Sequence, residues 1–186
     1  RDLHVLAYGI PRLPERREPF ASLADACAWT VGQGGVAYLA HPYWSDALPR
    51  SVLDAPGCSG LEVWNTSCEL EIGRGLSAVQ WDLLLAAGRD AYGLACDDSH
   101  MPGFDSGRGW TWLRAAERTR EGVLAALAEG CFYASTGPVI HDVAVEDDGV
   151  VVRTSPCASV TLKSGPEDGS RAAAGRPLAW CHRAEV

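Results

Sequence analysis

The chain has 186 residues, of which 47% are hydrophobic and 22% are charged, a balance typical of a globular domain. Its formal net charge is −8, and its Lys and Arg residues form no cluster of the kind that nucleic-acid-binding proteins carry. No apolar run approaches the roughly 20 residues that a membrane-spanning helix requires. We therefore expect neither nucleic acid nor membrane as a partner, and the sequence does not specify an oligomeric state.

Seven cysteines are widely spaced along the chain, and no CxxC pair occurs among them. This spacing argues against a zinc ribbon and against a thioredoxin-like motif. Most of these cysteines lie among apolar or small residues. The pattern predicts reduced, buried thiols in a cytoplasmic protein.

Predicted strands alternate with predicted helices over the first two-thirds of the chain. Apolar runs typical of strands occur at residues 4–10, 35–42, 60–65, 91–96 and 109–115. Apolar residues at helical spacing occur at residues 20–33, 76–87 and 119–129. This alternation indicates an α/β fold with a parallel sheet or a β/α barrel in residues 1–137.

Two of these segments carry specific packing predictions. The strand at 35–42 is almost entirely apolar, which is expected of a strand that is covered on both faces. The helix at 76–87 places several apolar residues on one face, which we expect to be buried. These residues are Leu76, Val79, Leu83, Leu84 and Ala87.

The character of the sequence changes after Gly137, and residues 138–186 are predicted to form a small antiparallel β appendage. Two strands flank the turn at residues 147–149, and two further β patterns follow. A stretch rich in Gly, Ser and Ala at residues 164–176 is predicted to be a loop. His141 and His182 lie in this appendage and are interpreted as ordinary residues outside any site.

Polar side chains stand where three of the predicted strands end. His41 follows the second strand, and Asn65 ends the third. Asp97, Asp98 and His100 follow the fourth strand. The carboxyl ends of strands in β/α folds gather at one face, where sites form. Imidazole and carboxylate groups that converge there suit a borderline divalent ion such as zinc, manganese or iron.

The order of several segments resembles the later half of a PHP domain, a family named for polymerases and histidinol phosphatase. These segments are HVLAYGI, YLAHP, LEVWN, LACDDSH and FYASTGP. The carbamate-hydrolase-like subgroup is the most similar, because NTSC, WDxLL, DDSH and GxFYASTGP occur in it in this order. The HxH motif with which PHP domains begin does not occur in this chain, so we expect the chain to be an excerpt of a longer protein.

The resemblance implies part of a distorted (β/α)7 TIM-like barrel that holds two or three divalent metal ions in the full-length protein. His41 matches the His of the family's HP motif, and Asp98 and His100 match its DxH motif. His4 matches a His that precedes an apolar strand. These four residues are the implied metal ligands, and Asp97 is expected to support its neighbour.

Catalysis is assigned to Asp98, His100 and Asn65. The amide of Asn65 is expected to bind the substrate or a metal-bound water. Arg74 and Arg108 are predicted to contact an anionic substrate, with a surface salt bridge as the alternative for each.

Three functions are compatible with these residues. The first is a phosphoesterase that attacks a small anionic substrate with a metal-activated water. The second is a carbamate or ester hydrolase on the same scaffold, because the fold alone does not decide the reaction. The third is a non-catalytic remnant or binding module in which the β-rich tail recognises a partner.

Overall fold

The structure is a computed structural model that describes residues 3–15, 20–47, 49–147, 149–163, 165, 169–173 and 176–177. The chain divides into two compact units, residues 1–136 and 137–186. The sequence predicts this boundary after residue 137, one residue later. The first unit mixes helices with strands, so the expected α/β class is confirmed, and the strands that are described form open sheets without closing into a barrel.

A four-stranded sheet forms the centre of the first unit. Its strands, in spatial order, are β1 (Val5–Tyr8), β2 (Val36–Leu39), β3 (Cys58–Asn65) and β4 (Tyr92–Cys96). Strands β2, β3 and β4 are parallel, whereas β1 runs antiparallel to β2. The parallel strands therefore end at one edge of the sheet, and the antiparallel β1 begins there.

Five helices and a pair of antiparallel strands complete the first unit as described. The helices are α1 (Leu23–Val31), α2 (Pro49–Leu53), α3 (Thr66–Ile72), α4 (Ala78–Ala86) and α5 (Arg120–Glu129). Strands β5 (Trp110–Leu113) and β6 (Phe132–Ser135) pair antiparallel with each other. Strand β5 meets β4 through a side chain, because the hydroxyl of Thr111 bonds both the N–H and the carbonyl of Ala95 at 3.0 and 2.8 Å.

The sheet is covered on both faces. One face packs Leu39 and Leu61 into an apolar cluster with residues of α1, α2 and α4. The other packs Tyr38 against Leu127 of α5 and Phe132 of β6, and the Tyr38 hydroxyl donates to the Leu127 carbonyl at 2.7 Å. All four residues of β2 are buried, which confirms the prediction for this strand.

The prediction for the helix at 76–87 is wrong about which face is buried. Leu84 is fully buried, but Val79 and Leu83 are 68% and 51% exposed, and Leu76 and Ala87 are also exposed. Apolar residues occur on every side of this helix, and the large indole of Trp81 packs against the core. Its N–H donates to the carbonyl of Ala91 at 2.7 Å, which fixes that side of α4 against the sheet.

The second unit consists of strands in the part that is described. Strands β7 (Ile140–Glu146) and β8 (Gly149–Thr154) form the predicted hairpin. Strands β9 (Ser159–Lys163), β10 (Gly169–Ala173) and β11 (Arg176–Pro177) form an antiparallel sheet. The predicted loop at 164–176 is therefore wrong over β10, whose backbone pairs with β9. His141 is exposed on β7, whereas His182 lies outside the described residues.

Two further predictions concern thiols and membranes. The six cysteines of the described part are free thiols, and three of them, Cys27, Cys58 and Cys68, are buried. Cys181 lies outside the described residues. None of the helices described here is both long and apolar enough to cross a membrane.

Candidate functional site

The four predicted metal ligands converge at the edge of the sheet where β2, β3 and β4 end. His4, His41, Asp98 and His100 all line one cavity with a volume of about 450 Å³. His4 reaches this edge because β1 is antiparallel, so the residue before its first strand position lies beside the end of β2. The N–H of Ala40 donates to the His4 carbonyl at 3.0 Å.

Eight further side chains, which are aromatic, apolar, polar or acidic, complete the wall of this cavity. They are Trp44, Ser67, Cys68, Leu70, Glu71, Met101, Phe104 and Asp105. A second cavity, of about 530 Å³, lies between β1 and α1 and is lined mainly by apolar side chains. None of the predicted site residues lines it, so the first cavity is the candidate functional site.

The two imidazoles of His4 and His41 meet at the cavity wall. Nδ1 of His4 lies 3.2 Å from Nε2 of His41, and the rings are arranged edge to face. The other nitrogen of His41, Nδ1, lies 2.9 Å from the hydroxyl of Ser45, which fixes the orientation of the ring. His41 is buried and has a φ of 27°, in the left-handed region that non-glycine residues seldom adopt.

Glu62 lies directly beneath His41 and was missed by the sequence analysis. It is 1% exposed, and its Oε2 accepts the backbone N–H of His41 at 2.7 Å. Its Oε1 accepts the thiol of Cys96 at 2.8 Å. Burial and then the nearby Glu62 carboxyl raise the pKa of Cys96, so its thiol remains a donor. An acidic residue inside the apolar strand GLEVWN is the signal that the sequence offered.

Asn65 is fully buried, and its amide group bonds within the protein. Its Nδ2 donates to Glu62 at 2.9 Å and to Asp98 at 3.2 Å, whereas its Oδ1 accepts the N–H of Cys68 and caps α3. The structure therefore places Asn65 under the cavity and not in its lining. We refer to His41, Glu62 and Asn65 as the floor of the site.

Residues 98–105 form the other side of the cavity, and we call them the loop wall. Asp98, with a φ of 51°, turns the chain into this loop. Asp105 is 1% exposed and holds the loop together. Its carboxylate accepts the hydroxyl of Ser99 and the N–H of His100, both at 2.7 Å, and the N–H of Met101 at 3.0 Å. The Ser99 hydroxyl and these backbone amides lower the pKa of Asp105 to about 2.

Asp97 anchors the segment that follows the loop wall. Its carboxylate accepts the N–H groups of Gly107, Arg108 and Gly109 at 2.5, 3.0 and 2.8 Å. Burial acts to raise the pKa of Asp97, but these amide bonds outweigh it and the pKa is lowered. Asp97 thus holds residues 107–109 in place, and its expected support of Asp98 stays a prediction.

The two predicted anion-binding arginines are not among the residues that line the cavity. Arg74 forms an ion pair with Asp46 at 2.5 Å, and its guanidinium lies 5.1 Å from the ring centre of Tyr43. Nε of Arg108 donates to the carbonyl of Phe104 at 2.7 Å. Both side chains therefore have partners within the protein, and the predicted contact of each with an anionic substrate stays a prediction.

The predicted metal ligands fit an ion in part. Two nitrogens bound at about 2.1 Å to one tetrahedral zinc ion lie about 3.4 Å apart. The 3.2 Å between His4 Nδ1 and His41 Nε2 is close to this separation. Across the part of the chain that is described, however, no group of three or more His, Cys, Asp or Glu residues is arranged to hold a metal ion. The pair therefore fits, and Asp98 and His100 are further donors in the same cavity.

Comparisons with protein-family models, with curated proteins and with solved structures give no significant match for this chain. The resemblance to PHP domains therefore stays a prediction.

Proposed function

We propose that this chain is part of a metal-dependent hydrolase, in which His4, His41, Asp98 and His100 hold a divalent ion. One observation carries the proposal: two imidazole nitrogens lie 3.2 Å apart on the wall of a cavity that Asp98 and His100 also line. Zinc, manganese and iron all accept this donor set. When bound, such an ion polarises the bond under attack and activates water as the nucleophile.

The residues of this chain would prepare the site for that chemistry. Ser45 and the left-handed backbone of His41 orient one imidazole towards His4. Asn65 holds the carboxylate of Asp98 in place from below. The imidazole of His100 is exposed in the cavity, and its Nδ1 lies 3.5 Å from the hydroxyl of Ser67.

We also propose that the four-stranded sheet belongs to a β/α barrel. The support is local: β2, β3 and β4 are parallel, helices cover one face, and the candidate site lies at their carboxyl ends. The antiparallel β1 makes such a barrel a distorted one.

Phosphoester hydrolysis is one reaction that suits a metal-bound water. A carbamate or ester is the second candidate, and the cavity lining favours it. No Lys or Arg is found among the described residues that line the cavity. Leu70, Met101 and Phe104 line it with 43%, 57% and 54% of their surface exposed. Such a lining suits an uncharged substrate with an apolar group better than a phosphate anion.

The metal proposal is tested by titrating the full chain with Co²⁺ and following its visible absorption. Wild-type protein is expected to bind the ion stoichiometrically, and Asp98→Asn is expected to weaken binding by about 10-fold or more. Asp54→Asn is the matched control, since Asp54 is exposed and does not line the cavity. The proposal would be overturned if the wild-type protein bound no Co²⁺, or if Asp98→Asn bound Co²⁺ with the same affinity as Asp54→Asn.

Turnover of aryl phosphates, aryl carbamates and aryl esters by the Zn²⁺- or Mn²⁺-loaded chain then separates the candidate reactions. Hydrolysis of the uncharged substrates alone would leave the phosphoesterase function without support. Stoichiometric metal binding without any turnover would favour a binding module.

A further inference from the structure

Three donors converge on the carboxyl group of Glu62 in the interior of the first unit. Oε2 accepts the N–H of His41 at 2.7 Å and the amide of Asn65 at 2.9 Å. Oε1 accepts the thiol of Cys96 at 2.8 Å. Burying a carboxyl group is costly unless its oxygens are hydrogen-bonded, and these three bonds meet that need.

The bond to His41 links Glu62 to the first wall of the cavity. The backbone of His41 adopts a φ of 27°, a conformation that is disfavoured for a residue with a side chain. Residues in such conformations persist only where their surroundings hold them. Glu62 accepts the N–H of this same residue, and Ser45 contacts its ring. Glu62 therefore acts on the imidazole of His41 through the backbone.

The bond to Asn65 links Glu62 to the second wall. The Nδ2 group of Asn65 has two hydrogens, and it contacts Glu62 Oε2 and Asp98 Oδ2. The Oδ1 atom of Asn65 is bonded to the N–H of Cys68, so the orientation of the amide is determined. Asn65 is thus a bridge that transmits the position of Glu62 to the carboxylate of Asp98.

We infer that Glu62 is a positioning residue that aligns His41 and Asp98 on the two sides of the cavity. The inference rests on the function proposed above, since it gives these two residues a shared ion. A carboxyl group suits the position because both of its oxygens accept bonds, whereas a methionine of similar length offers no oxygen to the N–H of His41 or to the amide of Asn65. The side chain is not among the residues that line the cavity.

Glu62→Met, which removes both acceptor oxygens at a similar side-chain length, tests the inference through the Co²⁺ affinity and the visible spectrum of the bound ion in the full chain. Removal of a residue that orients metal ligands costs about 10- to 100-fold in affinity. We expect a loss in this range together with a changed Co²⁺ spectrum. Cys96→Ala removes the donor to Oε1 and a longer contact of 4.0 Å with the amide of Asn65, but it leaves both bonds to Oε2 in place, so it should change the affinity by less than about 3-fold.

Leu84→Ala is the control for lost stability, because Leu84 is fully buried in the cluster that packs against α4. A merely structural role of Glu62 predicts that Glu62→Met and Leu84→Ala affect Co²⁺ binding equally at temperatures where both are folded. That result would overturn the inference while leaving the proposed function intact. A wild-type chain that does not bind Co²⁺ would overturn both.

Glu62→Asp provides the second variant if Glu62→Met fails to fold by circular dichroism. Aspartate keeps two acceptor oxygens but is one methylene shorter, so it cannot meet both His41 and Asn65 at the present distances. We expect about a 10-fold loss of Co²⁺ affinity with a shifted spectrum. An unchanged affinity and spectrum would show that Glu62 does not position the two ligands.

Discussion

The floor lies under the cavity and the loop wall forms one side of it, and the two are held in place differently. His41, Glu62 and Asn65 of the floor are 5%, 1% and 0% exposed and bond to one another. Asp98 and His100 of the loop wall are exposed, and the loop depends on the buried carboxylate of Asp105. The floor therefore determines the shape of the site, whereas the loop wall presents side chains to a ligand.

The largest expected effect comes from breaking the floor at Asn65. Asn65→Leu removes the cap of α3 and leaves a buried N–H of Cys68 and a carboxyl oxygen of Glu62 with fewer partners. We expect the free energy of unfolding to fall by about 2–4 kcal/mol, as measured by chemical denaturation. Gln80→Leu on the half-buried surface of α4 should stay within about 0.5 kcal/mol of wild type. Equal effects of the two changes would contradict the distinction between floor and surface.

Asp105→Asn breaks the anchor of the loop wall, and its effect should depend on pH. The pKa of Asp105 is lowered to about 2 from an ordinary value of 3.8, so its carboxylate stabilises the folded state fully above about pH 4. That contribution is lost as the pH falls through about 2. The midpoint temperatures of thermal unfolding of wild type and Asp105→Asn should therefore differ from neutral pH down to about pH 4, and they should converge at lower pH. A difference that persists unchanged at pH 2 would argue against the anchoring role.

Asp97→Asn should loosen the segment after the loop wall without disturbing the floor. The amides of Gly107, Arg108 and Gly109 lose a charged acceptor, so their hydrogen exchange should accelerate by about 10-fold. The amide of His41, bonded to Glu62, should exchange at the wild-type rate. Acceleration at His41 as well would show that the floor and this segment unfold together.

Phe104→Ala should have the smallest effect on stability. Its side chain is 54% exposed, so the free energy of unfolding should change by no more than about 0.5 kcal/mol. The same change should raise the KM for an aryl substrate by about 10-fold if the loop wall binds an apolar group. An unaltered KM would remove Phe104 from the substrate-binding surface.

The strands of the site and their polar ends follow from the sequence, because each is an apolar run that ends in a charged or amide residue. The direction of β1 cannot be predicted from the sequence, because an apolar run gives the same pattern in a parallel and in an antiparallel strand. Only the pairing of β1 with β2 brings His4 beside His41. Glu62 is visible in the sequence as an acidic residue within an apolar strand, but no site role was predicted for it. Its partner His41 lies 21 positions away and is identified only by tertiary contact.

Other differences have similar physical causes. The buried face of α4 was ambiguous because apolar residues occur all round this helix, and the size of Trp81 decides which side packs inward. The sequence predicts a loop over β10 because its Gly, Ser and Ala residues have weak strand propensity. Pairing with β9 overrides that preference.

X-ray absorption spectroscopy of the Zn²⁺-loaded chain tests the central claim most directly, because it counts the ligand atoms around the ion. Binding by His4, His41, Asp98 and His100 predicts a shell of nitrogen and oxygen at about 2.0–2.1 Å with the outer scattering of several imidazoles. A sulfur shell at about 2.3 Å, or a shell without imidazole, would contradict it.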